Sequence, residues 1–434
     1  MELFSIAFLF YFLPLFLAIY YVTPEKEKSV VIIIGSTIFY LLQNGVNAGS
    51  VGLLLLLTGI TYFLATQLQK SKQTIWLIVG ILFLAGILAV FKYYHRLPVG
   101  MSFYLLQMVA YLIDTYRRRV STKGIDTYAA QILLFPKLLS GPLVMPCQLQ
   151  DQICKPKVSQ TRFREGLQEL VAGLGLKVLL ADPLANLWNQ AAVIGYDSIS
   201  TLLAWLALVC FGLRLYFDFH GYSLIAVGLG KMLGLCLPPN FRTPYAARSV
   251  TDFFHRWHIT LGTWFREYVY FPLGGNRKGR FRTVCNILLV WLLTAFWHGT
   301  SLNYFVWAGF LAFFIVQEKL WLGKLLQRIP IVAHIYTLLV IFLSWLPFAL
   351  GEQGQLFTYL QRLFTLCGRV EWQQILPQIP VLTAALFFAT PIPNTVFEAL
   401  REYFLFDFLL FVLFWVSIYF ISTAQQNPFL YFQF

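Results

Sequence analysis

The chain has 434 residues, of which 59% are hydrophobic and only 12% charged. Soluble domains carry about 25% charged residues, so a soluble globular protein is excluded and a polytopic membrane protein is expected. The net charge of +13 sits in short clusters between apolar runs, which is the positive-inside pattern and not a nucleic-acid footprint.

A helical crossing needs about 20 apolar residues to cover roughly 30 Å of hydrocarbon. The first candidate is 3–22, where Met1–Tyr21 lacks a small-residue cleavage site and reads as a retained span. Further candidates are 29–43, 51–68, 74–91 and 100–117, then 202–219, 284–298, 302–322, 331–350, 376–393 and 403–423. The stretches 128–145, 163–194 and 222–236 could be spans or buried half-helices. The expected fold is all-α, a polytopic membrane protein with roughly eleven transmembrane helices plus interfacial and re-entrant helices.

Loop charge sets the orientation. Glu25–Lys28, Lys70–Gln73 and Arg117–Lys123 belong inside, the uncharged Gln43–Ser50 outside, and the N-terminus outside. The basic cluster Arg277, Lys278, Arg280 and Arg282 fits the inner face, whereas His95 and Arg96 would lie outside, against the bias. Six cysteines (Cys147, Cys154, Cys210, Cys236, Cys285 and Cys367) form no Cys-x-x-Cys pattern, so neither a metal nor a redox site is expected. One domain over 1–434 is expected. Residues 1–125 and 326–434 read as scaffold helices, and 126–325, where polar residues repeatedly enter apolar sequence, as the catalytic core.

Arg214 and Asp218 are four apart in an apolar run, neighbours on one helical face. They read either as a buried structural ion pair or as tunnel lining; His220 follows, before Gly221. Ser249-Val-Thr-Asp252 has capping-box spacing, so a helix should begin at Val250. Projected as one amphipathic helix, 250–268 places His258 on the apolar arc beside Phe254, Leu261 and Phe265. It is either a buried histidine bonded to a carbonyl or a functional group.

His298 closes the next apolar helix. It stands about 16 residues beyond Arg282, or about 24 Å at ~1.5 Å per residue. That is less than the hydrocarbon thickness, so His298 should end below the far surface, with Gly299 as the helix stop. A break there must be buried in protein or line a cavity. An imidazole titrates near neutral pH and can accept and return a hydroxyl proton, which favours a functional role for His298. His95 and His334 read as interfacial or structural. Leu273-Gly-Gly-Asn-Arg-Lys-Gly279 lacks the Gly-Lys-Ser/Thr ending of a phosphate loop and reads as a basic turn.

Several stretches, in order, resemble the membrane-bound O-acyltransferase family, in particular its bacterial alginate O-acetyltransferase-like branch. They are Phe135-Pro-Lys-Leu-Leu-Ser-Gly-Pro142, Tyr216-Phe-Asp-Phe-His-Gly-Tyr-Ser223, Pro239-Asn-Phe241, Arg256-Trp-His-Ile-Thr-Leu261, Tyr270-Phe-Pro-Leu-Gly-Gly-Asn-Arg277 and Phe296-Trp-His-Gly299. The closing Asn427-Pro-Phe-Leu-Tyr-Phe-Gln-Phe434 also looks like the family's C-terminus. The match is dense over 135–310 and thinner elsewhere.

The resemblance implies helices around a central tunnel, with His298 as the catalytic histidine and His258 as a second functional position. Asp218, Arg214, Asn240, Arg256, Trp257 and Trp297 become tunnel-lining candidates. It further implies acyl transfer from a thioester to a hydroxyl, with His298 as general base or, alternatively, acyl carrier, and His258, Asn240 or a backbone amide stabilising the oxyanion. The implied donor is acetyl-CoA, with no permanently bound cofactor and no metal. The implied acceptor is an extracytoplasmic polysaccharide, reached with an outer-face partner protein from the cytoplasmic membrane. Departures at His220, Phe254-His255 and Phe348-Ala349 touch the surroundings of the site and bear on the substrate. Two alternatives stand beside this reading: D-alanyl transfer from a carrier protein to teichoic acid, and a transporter without chemistry, for which no paired broken helices in repeated halves are visible.

Overall fold

The computed structural model describes residues 1–94, 97–350, 353–366 and 368–423. His95, Arg96, Cys367 and the Asn427–Phe434 segment lie outside the described residues. Among the described residues the secondary structure is helical, with no strand. Eight helices are long and apolar enough to cross a membrane, or nine if the pair Trp372–Phe388 and Ile392–Leu400, bent by 68°, forms one span. The chain is an all-α multi-pass membrane protein, as a chain whose backbone must satisfy itself in lipid requires.

The expected count was higher because three apolar runs form helices that stop short: α1 (Phe8–Val22), α2 (Lys28–Gln43) and α5 (Met101–Tyr116), between which lie α3 (Ala48–Ser71) and α4 (Thr74–Tyr93). The 16 residues of α2 or α5 rise only about 24 Å. Short α6 (Ile125–Leu133) and α7 (Pro146–Cys154) lead to α8 (Gln160–Ile194) and α9 (Thr201–Met232). α9 runs 32 residues straight through Gly221, joining two stretches expected to be separate. A glycine costs a helix about 1 kcal/mol, too little to stop one whose Phe211–Phe219 are all buried.

Two compact units divide the chain. The first holds Met1–Leu174, Tyr222–Pro239 and the last helix from Leu410. Its rings Phe8, Phe12, Phe16, Phe39 and Phe135 form one cluster with centroids 5.2–6.0 Å apart. Gly166 of α8 and Gly228 of α9 pack backbone against backbone, so that a Cβ on either would overlap the other's carbonyl oxygen. Beside that contact, Lys231 pairs with Glu165 (3.1 Å) and Glu169 (2.7 Å).

The second unit holds Gly175–Gly221 and Asn240–Leu409 and contains every element of the candidate site. These are α10 (Val250–Arg256), α11 (Ile259–Phe265) with a π-helical turn after it, α12 (Gly279–His298), α13 (Leu302–Leu326) and α14 (Pro330–Ala349). α10 begins where the capping spacing places it. The Ser249 hydroxyl accepts from the Asp252 amide at 2.9 Å, while the Asp252 carboxylate reaches back to the Arg248 amide at 3.3 Å.

Candidate active site

One continuous helix over 250–268 is not formed. Trp257 is extended, and His258 adopts the left-handed conformation (φ 43°, ψ 52°), separating α10 from α11. The backbone here bonds to another segment instead of continuing the helix: Arg242 N–H donates to Arg256 O at 3.0 Å and Ile259 N–H to Asn240 O at 2.9 Å. A left-handed residue with a side chain costs about 1–2 kcal/mol, and these bonds hold it in place. The helical projection therefore assigned His258 its neighbours by the wrong geometry, although its burial, at 5% exposure, is as expected.

Behind His258 lies Asn240. Its Oδ1 accepts from Thr260 N–H (3.4 Å) and Thr260 Oγ1 (2.5 Å) and stands 3.3 Å from His258 Nδ1. A backbone N–H can only donate, so the Asn240 atom facing it is the oxygen, and Nδ1 of a neutral His258 carries the proton. Nε2 is left with its lone pair. Burial lowers the His258 pKa to about 3, so the ring is neutral at pH 7.

His298 is the last residue of α12, and the chain turns away through 299–301. The helix stops at Gly299, as expected, with the glycine in extended backbone (φ 176°) and not in a left-handed cap. Glycine is required for a different reason: the Tyr304 ring occupies the space a Cβ would fill. The His298 ring lies 4.8 Å from Trp297, 5.1 Å from Trp307 and 5.2 Å from Phe348, centroid to centroid. Thr294, one turn back, turns its hydroxyl to Val290 O at 2.8 Å.

Both histidines line one cavity of about 530 Å³. Its walls include Phe254, Trp257, Trp291, Trp307, Trp345 and Phe348. Its exposed lining residues include His255, Arg266, Asn276 and Lys319, of which Arg266 and Lys319 give it a cationic mouth. Burial, with Arg266 and Lys319 adding to it, lowers the His255 pKa. An apolar chamber excludes water and strengthens every polar interaction inside it. Two imidazoles there can orient a hydroxyl and take its proton, and the mouth suits an anionic group.

The other sequence candidates divide. Trp257 lines the cavity and packs against Phe241, Phe253 and Trp345 (5.1, 5.4 and 5.0 Å). Trp297 is buried with its ring near both histidines, 6.4 Å from His258 and 4.8 Å from His298. Asn240 sits behind His258. Arg256 is directed to Asp252 (2.9 Å) and is not among the cavity-lining residues. Asp218 pairs with Lys177 at 2.8 Å, and Lys177 also holds Asp182 at 2.7 Å. Both carboxylates are within electrostatic reach of Arg214, so the two-residue pair expected from spacing is a four-residue cluster away from the cavity lining. His220 stacks on Tyr216 (5.3 Å) outside that lining. His334 Nδ1 meets Ala247 O at 2.9 Å, a structural contact.

Sequence reasoning missed Trp307 and Tyr304, whose aromatic character in an apolar span is no signal. Phe348 lies in the stretch read as C-terminal scaffold, yet it was singled out as touching the surroundings of the site, and its ring is 5.2 Å from His298. Glu318 was also passed over, although an acid inside the apolar run 302–322 is a cue in itself.

The chain matches the family model described as MBOAT, membrane-bound O-acyltransferase family, over residues 38–361. It is similar to the Probable alginate O-acetylase AlgI of Pseudomonas putida, with 33% identity over 377 residues covering 79% of this chain and 76% of the relative. It is also similar to the Peptidoglycan O-acetyltransferase of Helicobacter pylori, 31% identical over 69% of this chain and 67% of that protein. A shorter match joins it to the Teichoic acid D-alanyltransferase of Bacillus subtilis, 28% identical over 41% of this chain and 47% of that protein. With three quarters of its length inside the family model and histidines from two separate segments on one chamber, the chain belongs to the membrane-bound O-acyltransferase family and is an acyltransferase.

Proposed function

We propose that the protein is an O-acetyltransferase of the cytoplasmic membrane that esterifies hydroxyls of an extracytoplasmic polysaccharide. The observation that carries this reading is the convergence of His258 and His298 on one aromatic chamber with a cationic mouth. The matches to an alginate O-acetylase and a peptidoglycan O-acetyltransferase favour acetyl as the cargo. Acetyl-CoA is the donor, its phosphates drawn to Arg266 and Lys319, and a partner protein on the outer face carries the acetyl group to the polymer.

In the reaction the acceptor oxygen attacks the thioester carbonyl. A C–O bond forms and the C–S bond breaks, while the hydroxyl proton passes to His298 and from it to the leaving thiolate, which departs as the thiol. His258, held by Asn240 with its Nε2 lone pair free of a ring proton, accepts a hydrogen bond and orients the hydroxyl. That tautomer cannot donate from Nε2, which moves oxyanion stabilisation away from His258 to other donors. Residues 126–325 carry most of this machinery, with α14 closing the chamber.

The test is mass analysis of acyl groups released by alkali from the surface polymers of host cells. Wild type is compared with a deletion strain and with His298→Ala. Loss of acetate in both mutants supports the reading. Loss of D-alanine instead assigns the chain to teichoic-acid D-alanylation, and no difference in any ester overturns surface acylation.

A further inference from the structure

The seven residues of α10 connect Ser249 to the Trp257–His258 turn, and so short a helix is not stable by itself. Its first N–H groups have no partner within the helix. Asp252 N–H is taken by the Ser249 hydroxyl (2.9 Å) and Phe253 N–H by Ser249 O (2.9 Å). The two before them are taken by a side chain from elsewhere: Glu318 accepts from Val250 N–H at 2.6 Å and from Thr251 N–H at 2.9 Å, with Thr251 Oγ1 donating to it at 2.6 Å.

Glu318 is 9% exposed within an apolar span. A carboxylate there is costly unless donors surround it, and three do. It opens a π-helical turn, Glu318–Leu322, a local change that re-aims side chains and recurs at functional sites. The same helix, α13, presents Trp307 to His298 near its other end. Its neighbour Lys319, with Thr251, Phe254 and His255 of α10, lines the cavity. One helix thus touches the His298 ring and grips the start of the segment that ends in His258.

We propose that Glu318 is the positioning residue for His258, acting through α10. The proposal rests on the acyltransfer reading above for its kinetic part. Its carboxylate anchors the front of α10, and the Asn240–Arg242 backbone anchors the rear. With the front released, α10 slides or frays, and the left-handed turn at His258 loses its register against Asn240.

Purified full-length protein and the Glu318→Gln, Glu318→Ala, His258→Ala and double variants test this by hydrogen–deuterium exchange and steady-state kinetics. Glutamine keeps one acceptor oxygen, so kcat falls about 5–10-fold, and alanine about 100-fold, with the donor KM within about twofold. Exchange rises over 250–258 and stays unchanged over 284–298. On the His258→Ala background Glu318→Gln costs no more than about a further twofold, because both act through one group. Unchanged exchange over 250–258, or fully additive losses, overturns the proposal. Should Glu318→Ala not accumulate, Glu318→Gln carries the same arms. If His298→Ala keeps full activity in this assay, the acyltransfer reading fails while the exchange result still decides what Glu318 holds.

Discussion

Trp297 neighbours both histidines: its ring centroid lies 4.8 Å from His298 and 6.4 Å from His258. That ring is carried by the residue before His298, so the end of α12 supplies both the imidazole and the indole packed against it. Buried at 4% exposure, Trp297 cannot be shortened without leaving a hole, and truncation of a buried Trp costs about 3–5 kcal/mol. The packing of this one indole therefore bears on both imidazoles.

If His298 takes the acceptor proton, His298→Ala should lower kcat by about 10²–10⁴, the usual worth of a positioned base. Membrane levels of the protein should stay near wild type, because His298 is only partly buried and ends its helix. Acetyl-ester content, scored against immunoblots of the membrane fraction, checks both parts. A fully active variant would remove His298 from the reaction.

Asn240 is the hinge of the His258 tautomer. Asn240→Ala removes the acceptor of Thr260 and the partner of His258 Nδ1 in a residue only 1% exposed. A buried group left unpaired costs about 1–3 kcal/mol, and without the Nδ1 contact the ring is free to take either tautomer. We expect kcat to fall about tenfold or more with a smaller change in KM. Thr260→Val, which removes only the hydroxyl, should do less. Equal effects of the two would place the weight on Thr260.

His258 also ties stability to pH. Its pKa is lowered from an ordinary 6.5 to about 3 by burial. Between those values the unfolded chain binds a proton that the folded one refuses, so stability is complete above about pH 6.5 and falls as pH drops toward 3. The slope from this group is at most about 1.4 kcal/mol per pH unit. In detergent, the thermal midpoint of wild type should drop more steeply from pH 7 to 5 than that of His258→Gln. Parallel curves would mean the imidazole protonates freely in the folded state.

Part of the candidate site is legible in the sequence, and the failures share a cause. Arg256-Trp-His258 and Trp297-His-Gly299 lead to the chamber because the order of local motifs survives folding. The apolar spans were visible for the same reason, since hydropathy is a local property. What failed was what another segment decides. The break at His258 comes from Asn240 and Arg242, and Asp218 was matched to Arg214 by spacing while Lys177 holds it. None of these partners is within reach of a helical projection.

The cationic mouth predicts how the donor binds. Arg266 and Lys319 are exposed lining residues of the chamber, unlike its buried Trp257, Trp307 and Trp345 walls. Arg266→Gln together with Lys319→Gln should raise the KM for an anionic thioester about tenfold while leaving kcat within about twofold, because uniform binding is lost and the transition state is not touched. The effect should shrink at high salt, where surface charge is screened. An unchanged KM across salt would mean that the donor enters elsewhere.

Gly299 offers the sharpest steric test. Its backbone is extended, so alanine is conformationally allowed, and a glycine-specific φ plays no part. The obstacle is the Tyr304 ring, which lies where the Cβ would stand and which itself neighbours His298 and Phe348 (6.1 and 5.5 Å). Gly299→Ala must push that ring, and overpacking of this kind costs about 1–3 kcal/mol. Activity should fall at least about tenfold, and Tyr304→Ala on the same chain should restore part of it by emptying the contested space. A ring movement that displaces His298 predicts this rescue, whereas a requirement for backbone freedom at Gly299 predicts none. Measuring kcat for the two single variants and the double variant separates them.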